Sequence, residues 1–210
     1  MIKIVIVDDH AILRRGLTQI ITECGDMKVV GEAETSAQAL RLIREQACDV
    51  MLLDITLPDR NGIETLKLVR KEVPKLQVLM LSSHPENQYA VRALKSGAAG
   101  YLTKQSAAAQ LVSAIRQVYS GRKYVTAAVA EELANTIDQD TERPPHELLS
   151  MREYQTMCMI ASGKSLTEMA AQMSLSVKTV SVYRARVLEK MRLKNNAEMT
   201  HYAIKNQLVE

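Results

Sequence analysis

Asp49-Val50-Met51-Leu52-Leu53-Asp54-Ile55-Thr56-Leu57-Pro58 is the stretch whose reading decides the fold. A Val, Met and Leu run this short, closed by turn chemistry, suits a strand buried on both faces. The lone carboxylate of Asp54 at its end would stand at the carboxyl edge of a parallel sheet, where open α/β folds place their chemistry. An aspartate there can also do no more than begin a turn, so the neighbouring segments decide.

Upstream, Ile2 to Val7 is a short β-branched run stopped by Asp8-Asp9-His10. Leu13, Leu17, Ile20, Ile21 and Cys24 recur at helical spacing up to Gly25. Lys28 to Ala33 reads as a second strand, and Ala37, Leu40, Ile43 and Ala47 as a second helix. Downstream, Asn61-Gly62 makes a turn, and Leu66, Val69 and Val73 mark a helix stopped by Pro74. Leu76 to Leu81 is a fourth strand, ending in Ser82-Ser83. Ala90, Val91 and Leu94 give a helix stopped at Gly97, and Ala99 to Leu102 a fifth strand with Lys104 just past it. Leu111, Ala114, Ile115 and Val118 form the next helix, ended by Gly121. Such alternation predicts a flavodoxin-like (βα)5 domain over residues 1–121, with a parallel sheet, right-handed crossovers and helices on both faces.

Residues 122–147 have another character. Ala127 to Ile137 is helix-prone, with Val129, Leu133 and Ile137 on one side, and the polar run Asp138 to Pro145 ends in two prolines. They read as a linker with a short helix. Residues 148–210 are all helix. Ser150-Met151-Arg152-Glu153 and Ser165-Leu166-Thr167-Glu168 are capping boxes. Tyr154, Met157, Cys158 and Ala161 line the first helix, and Met169, Ala170 and Met173 the second. Leu175 fills a tight turn. Ser176 caps a longer helix through Leu193, broken by Asn195-Asn196, and a last helix of about 196–205 carries Met199, Ala203 and Ile204.

Composition narrows the functions. The chain has no Trp or Phe and seven Tyr among 210 residues, which weakens any model of bases stacked on aromatic platforms. The net charge is +3, but residues 148–210 carry 9 basic and 5 acidic side chains, an excess that suits a polyanion. Cys24, Cys48 and Cys158 are odd in number and far apart, so reduced thiols in a cytoplasmic protein are expected rather than disulfides or a zinc site. Neither a signal peptide nor a membrane span is expected.

With the first strand central, Asp8, Asp9 and Asp54 share one sheet edge. Three carboxylates so close repel unless a cation lies between them, and Mg²⁺ with oxygen ligands is the best match. Ser82 and Lys104 lie at the same edge. A hydroxyl and an ammonium there suit phosphoryl oxygens, and aspartate can act as a nucleophile on phosphorus.

Asp8-Asp9, Asp54, Ser82, Tyr101 and Lys104, with Leu57-Pro58 and Asn61-Gly62, resemble the receiver domain of bacterial two-component response regulators over residues 1–121. The resemblance implies that Asp54 accepts a phosphoryl group from a histidine kinase. Asp9, Asp54 and the carbonyl of Thr56 would bind Mg²⁺ directly, and Asp8 through water. Ser82 and Lys104 would hold the phosphoryl oxygens, and Tyr101 would turn inward as Ser82 moves. Gln105 stands where many receivers have proline, and Thr56 and His84 where the family tunes the phosphate lifetime.

In the tail, 165–173 and 176–193 have helix-turn-helix proportions. Val180, Val187 and Met191 face the core, and Lys178, Ser181, Val182 and Ala185 fall on the opposite side, able to meet a major groove. Arg184, Arg186, Lys190, Arg192 and Lys194 suit phosphates. Leu149-Ser150, Arg152-Glu153, Glu168-Met169-Ala170, Leu175 to Val180 and Leu188 to Met191 resemble the LuxR-type DNA-binding domain over 148–210, with Lys178, Thr179, Ser181, Val182, Arg184, Ala185, Arg186 and Lys190 as DNA contacts. The whole chain thus resembles a NarL/FixJ-class response regulator. This implies a cytoplasmic transcription factor that binds double-stranded DNA, whose receiver covers the recognition helix at rest and which forms a homodimer when phosphorylated, through the last helix on DNA. Two rivals remain. One is a phosphatase of the haloacid-dehalogenase type, which resembles Asp-x-Asp where this chain has Thr56. The other is a regulator of the same architecture controlled by a ligand or partner.

Overall fold

The computed structural model describes residues 1–83, 86–138 and 144–209. The chain divides into two compact units, Met1–Glu132 and Leu133–Glu210. The linker segment 139–143 and His84 lie outside the described residues.

In the first unit five strands alternate with helices. They are β1 (Ile2–Val7), α1 (Ala11–Glu23), β2 (Met27–Ala33), α2 (Ser36–Glu45), β3 (Val50–Asp54), α3 (Gly62–Glu72), β4 (Gln77–Ser82), α4 (Glu86–Lys95), β5 (Gly100–Thr103) and α5 (Lys104–Tyr119). The strands form one parallel sheet in the order β2-β1-β3-β4-β5. All five residues of β3 are buried, as a strand covered on both faces requires. One face packs Ile4, Ile6, Leu52, Leu79 and Leu81 against Leu17 and Ile21 of α1 and Leu111 and Ile115 of α5. Helix starts are fixed locally. Thr35, Asn61 and Thr103 cap α2, α3 and α5 by accepting a hydrogen bond from an amide two or three residues on. Register does the rest: Val7 lies beside Leu53, Asp54 beside Leu81 and Ser82 beside Thr103, so four strands end at one level.

The first unit runs past Gly121. Tyr124 bridges Gly100 outside β5, donating to the Ala99 carbonyl at 2.9 Å and accepting from the Tyr101 amide at 3.4 Å. A Cβ on Gly100 would lie 2.7 Å from the Tyr124 carbonyl oxygen, so only glycine lets this segment approach. Helix α6 (Ala127–Asp138) straddles the division between the units.

The second unit has a 3-10 turn over Pro145–Leu148, then α7 (Met151–Ala161), α8 (Leu166–Met173), α9 (Val177–Met191) and α10 (Asn196–Lys205). Both capping boxes form, Ser150 with Glu153 and Ser165 with Glu168. Ser174 closes α8 in the left-handed conformation at φ 54°, and Ser176 caps α9. One expectation fails in this unit. Helix α9 stops at Met191 because Arg192 turns left-handed (φ 56°), while Asn195 caps α10 rather than breaking α9. Met199 and Ala203 are buried, but Ile204 is exposed, since it lies one step off their face.

Candidate functional site

The β1–α1 turn delivers Asp8, the end of β3 delivers Asp54 and the first residue of α5 delivers Lys104. Asp8 and Asp54 are both buried. The Lys104 ammonium lies 2.7 Å from Asp54 Oδ2 and 2.8 Å from Asp8 Oδ2. Asp54 Oδ1 accepts from the Thr56 amide at 3.2 Å. Burial pushes the Asp54 carboxyl up to about 6; Lys104 opposes that shift and the neighbouring Asp8 carboxylate adds to it. Lys104 is moved the other way. Burial alone would lower it, but the facing Asp54 and Asp8 carboxylates outweigh burial and raise it. Ser82 is fully buried at the end of β4, and Tyr101 is buried on β5.

Asp9 is exposed beside this pair. Ligand atoms of Asp8, Asp9, His10 and Asp54 all lie within 4.8 Å of one another. Three carboxylates thus gather beside the Lys104 ammonium, and the raised Asp54 reflects its burial first, with Lys104 opposing the shift and Asp8 adding to it. The oxygen donor set fits a hard dication such as Mg²⁺. Asp8, Asp9 and Asp54 would hold it, with the Thr56 carbonyl as a further candidate ligand.

Four residues of this region escaped the sequence reading. His10 follows the two aspartates directly, and its Nδ1 lies 3.0 Å from Asp8 Oδ1 and 2.8 Å from Asp9 Oδ1. The run Asp-Asp-His, three metal-ligating residues in succession, was the available signal. Arg14 is buried; it donates to the Asp8 carbonyl at 2.6 Å and pairs with Glu32 and Glu34, tying the ends of β1 and β2 together. Its place one step from Leu13 on the apolar side of α1 was the hint. Asp59 accepts from the Ser36 and Ala37 amides at the start of α2, which no local pattern announces. Gly62 is more than a turn former: a Cβ there would lie 2.0 Å from the Asp54 carbonyl oxygen. Where many receivers have proline, Lys104 is followed by Gln105; no described peptide bond is cis.

On α9, Val180, Val187 and Met191 are buried, while Lys178, Ser181, Val182, Ala185 and Arg186 are exposed together. Thr179 and Arg184 are half-buried. The Thr179 hydroxyl lies 2.8 Å from that of Ser176, and Arg184 donates to Asn196 Oδ1 at 2.6 Å. Lys190, expected to meet phosphate, already has a carboxylate partner. Its ammonium lies 2.7 Å from Glu153 Oε2, joining α9 to the capping box of α7.

An aspartate-bearing doubly wound sheet followed by a helix-turn-helix is the architecture of a receiver joined to a DNA-binding module. Residues 4–116 match the response regulator receiver domain, and residues 147–203 match the luxR family of bacterial regulatory proteins. The response regulator UvrY of Escherichia coli (strain K12) is 37% identical over 209 residues, covering 99% of this chain and 96% of that protein. GacA of Pseudomonas syringae pv. syringae is 33% identical over 211 residues, covering 100% and 99%. A LuxR-family two-component response regulator from Aurantimonas is 35% identical with a TM-score of 0.60, covering 65% of this chain and 98% of that one. RcsB from Salmonella enterica serovar Typhimurium, bound to the promoter rprA in the presence of the phosphomimetic BeF3-, shares the fold at 22% identity and a TM-score of 0.65, covering 96% and 97%. The chain belongs to the two-component response regulators with a LuxR-type DNA-binding domain, the NarL/FixJ class.

Proposed function

We propose that this response regulator is a cytoplasmic transcription factor switched by phosphorylation of Asp54. What carries the reading is the convergence of Asp8, Asp54 and Lys104 from three separate elements onto one buried edge. A carboxylate oxygen of Asp54 attacks the phosphorus of a phosphohistidine on a sensor kinase. The P–N bond breaks, and the imidazole nitrogen keeps the electron pair and takes up a proton. Lys104 and Ser82 receive the phosphoryl oxygens. Asp8 and Asp9, with Asp54 and the Thr56 carbonyl, would hold Mg²⁺, which when bound would supply charge neutralisation for the phosphoryl transfer.

Phosphorylation then favours one of two states of the Ser82–Tyr101 edge, because the phosphoryl group bonds Ser82 in only one of them. The downstream result is exposure of the recognition helix α9 and a homodimer that offers two such helices to palindromic double-stranded DNA. Lys178, Ser181, Val182, Ala185 and Arg186 meet the groove and its phosphates, with Thr179 and Arg184 beside them. No external substrate is turned over.

Intact mass after incubation with Mg²⁺ and a small acyl-phosphate donor tests this. One added phosphoryl group, absent from Asp54→Asn, together with phosphate-dependent dimerisation and DNA binding, is the expected result. A folded, Mg²⁺-loaded protein that gains no mass would overturn it in favour of control by a ligand or partner. Turnover of a generic phosphomonoester would restore the phosphatase reading.

A further inference from the structure

We infer that residues 122–126 are a strap on the edge of the sheet, which tightens when Asp54 is phosphorylated and passes that change to α6. The inference rests on phosphorylation at Asp54, as proposed above, and adds the route by which its effect leaves the receiver. The phosphoryl chemistry makes no use of this segment, yet it is fastened from several sides. Past the end of α5, Gly121 turns left-handed (φ 82°) and sends the chain back along β5. The bridge that forms between Gly100 and Tyr124 is parallel. Its two backbone bonds flank Gly100: the Tyr124 amide donates to the Ala99 carbonyl, and the Tyr101 amide donates to the Tyr124 carbonyl.

Side chains hold the same segment. The Lys123 ammonium donates to the Ala98 carbonyl at 2.5 Å, and Gln117 donates to the Lys123 carbonyl at 2.6 Å. The Tyr124 hydroxyl donates to Gln110 Oε1 at 2.9 Å, and its half-buried ring packs against the core that holds Leu111 and Ile115. The strap is thus bound to β5 and α5 together. Those two elements border the phosphoryl pocket. Tyr101 lies on β5, Ser82 of β4 is paired with Thr103 of β5, and α5 begins with Lys104.

The direction of the coupling follows. A phosphoryl group bonded to Ser82 and Lys104 restrains the ends of β4 and α5. It restrains β5 with them, because β5 pairs with the first and runs straight into the second. Ordering a framework lowers the cost of ordering what docks on it, so phosphorylation tightens the strap. The bond from the Tyr101 amide, at 3.4 Å, has room to shorten, since such bonds are commonest near about 2.9 Å. Thr126 ends the strap, and its carbonyl accepts the Ala130 amide in the first turn of α6, where Val129 is buried. A tighter strap therefore fixes the start of the helix whose residues span the division between the units. By linkage, loosening the strap weakens the effect of phosphorylation by the same factor.

Hydrogen exchange of the full-length protein tests this, read by mass at single-amide resolution with and without Mg²⁺ and a small acyl-phosphate donor. Phosphorylation should slow exchange of the Tyr124 amide about 5-fold or more, and Asp54→Asn should show no slowing. Gly100→Ala sets a Cβ 2.7 Å from the Tyr124 carbonyl oxygen and 2.9 Å from Leu79 Cδ1, so it should lift the strap while Asp54 still takes a phosphoryl group. The ratio of DNA affinities with and without phosphate should then fall about 5-fold or more below that of the wild type. Tyr124→Pro deletes the amide donated to Ala99 without crowding Leu79; it should lower the ratio likewise, and it carries the test should Gly100→Ala fail to fold. Unchanged Tyr124 exchange in protein whose intact mass shows the added phosphoryl group would overturn the inference and leave the Asp54 switch standing. A wild-type affinity ratio in Tyr124→Pro would do the same. A folded protein that gains no mass would remove the switch, and the inference with it.

Discussion

At the scale of single residues, Asp54 carries a large electrostatic cost. Its carboxyl is pushed from 3.8 to about 6 by burial, so the folded state holds a proton more tightly than the unfolded chain does. The stability this confers is complete below the unfolded value and is lost as pH rises through 6. In chelator, Asp54→Asn should therefore be more stable than the wild type at pH 7.5, by about 1–2 kcal/mol, against an upper bound near 3 from the shift itself. The advantage should vanish near pH 4, where the wild-type carboxyl is already neutral. Guanidinium melts at both pH values measure this, and a gap independent of pH would assign the effect to packing. Gly62 sets a harder constraint. A Cβ added there would stand 2.0 Å from the Asp54 carbonyl oxygen, so Gly62→Ala must push the end of β3 aside. A loss of about 2–3 kcal/mol is expected in the same melts, as for other overpacked sites.

At the scale of elements, the inner strands β1, β3 and β4 were legible because burial on both faces leaves a nearly uninterrupted apolar run. Helix starts were legible where a hydroxyl or amide side chain caps them, as at Ser150, Ser165 and Ser176. The end of α9 was not, because Arg192 adopts a left-handed conformation that its residue type does not announce. Asp8, Asp54 and Lys104 could be brought together from sequence because a parallel sheet places all strand ends on one edge. The partners of Arg14, Asp59 and Lys190 could not, since each lies on another element at an offset that periodicity does not encode. Glu153 illustrates the energetic weight of such a contact. Burial would raise its carboxyl, but Lys190 and Ser150 outweigh that and hold it below the usual 4.5. A lowered folded value stabilises above the unfolded value and is lost as pH falls below 4.5 through the folded one. Glu153→Gln keeps the cap to Ser150 but removes the ion pair, and should cost about 1 kcal/mol at pH 7 and less at pH 3. Chemical denaturation followed at the second unit's helices checks it; equal destabilisation at both pH values would contradict the ion-pair account.

At the scale of the whole molecule, the receiver domain and the LuxR-type DNA-binding domain belong to separate compact units, and each matches its own family. Charge follows a different division, with the largest basic excess in residues 148–210. The members of that excess differ in setting: Lys190 pairs with Glu153, while Arg186 is left exposed on α9. The salt dependence of DNA binding separates the two roles. A side chain that neutralises one phosphate adds about 0.9 to the slope of log K against log salt, and its removal takes that much away. Arg186→Ala should show that reduction with the stability of the second unit unchanged within about 0.5 kcal/mol, as for an exposed surface substitution. Lys190→Ala should do the reverse. It leaves Glu153 without its cation, so it should destabilise the second unit by about 1 kcal/mol while the salt slope stays that of the wild type. Fluorescence anisotropy on one duplex across a range of salt, paired with melts of the same samples, reads both quantities. A slope that falls in Lys190→Ala as far as in Arg186→Ala would mean that the ion pair opens on DNA and that Lys190 exchanges Glu153 for a phosphate.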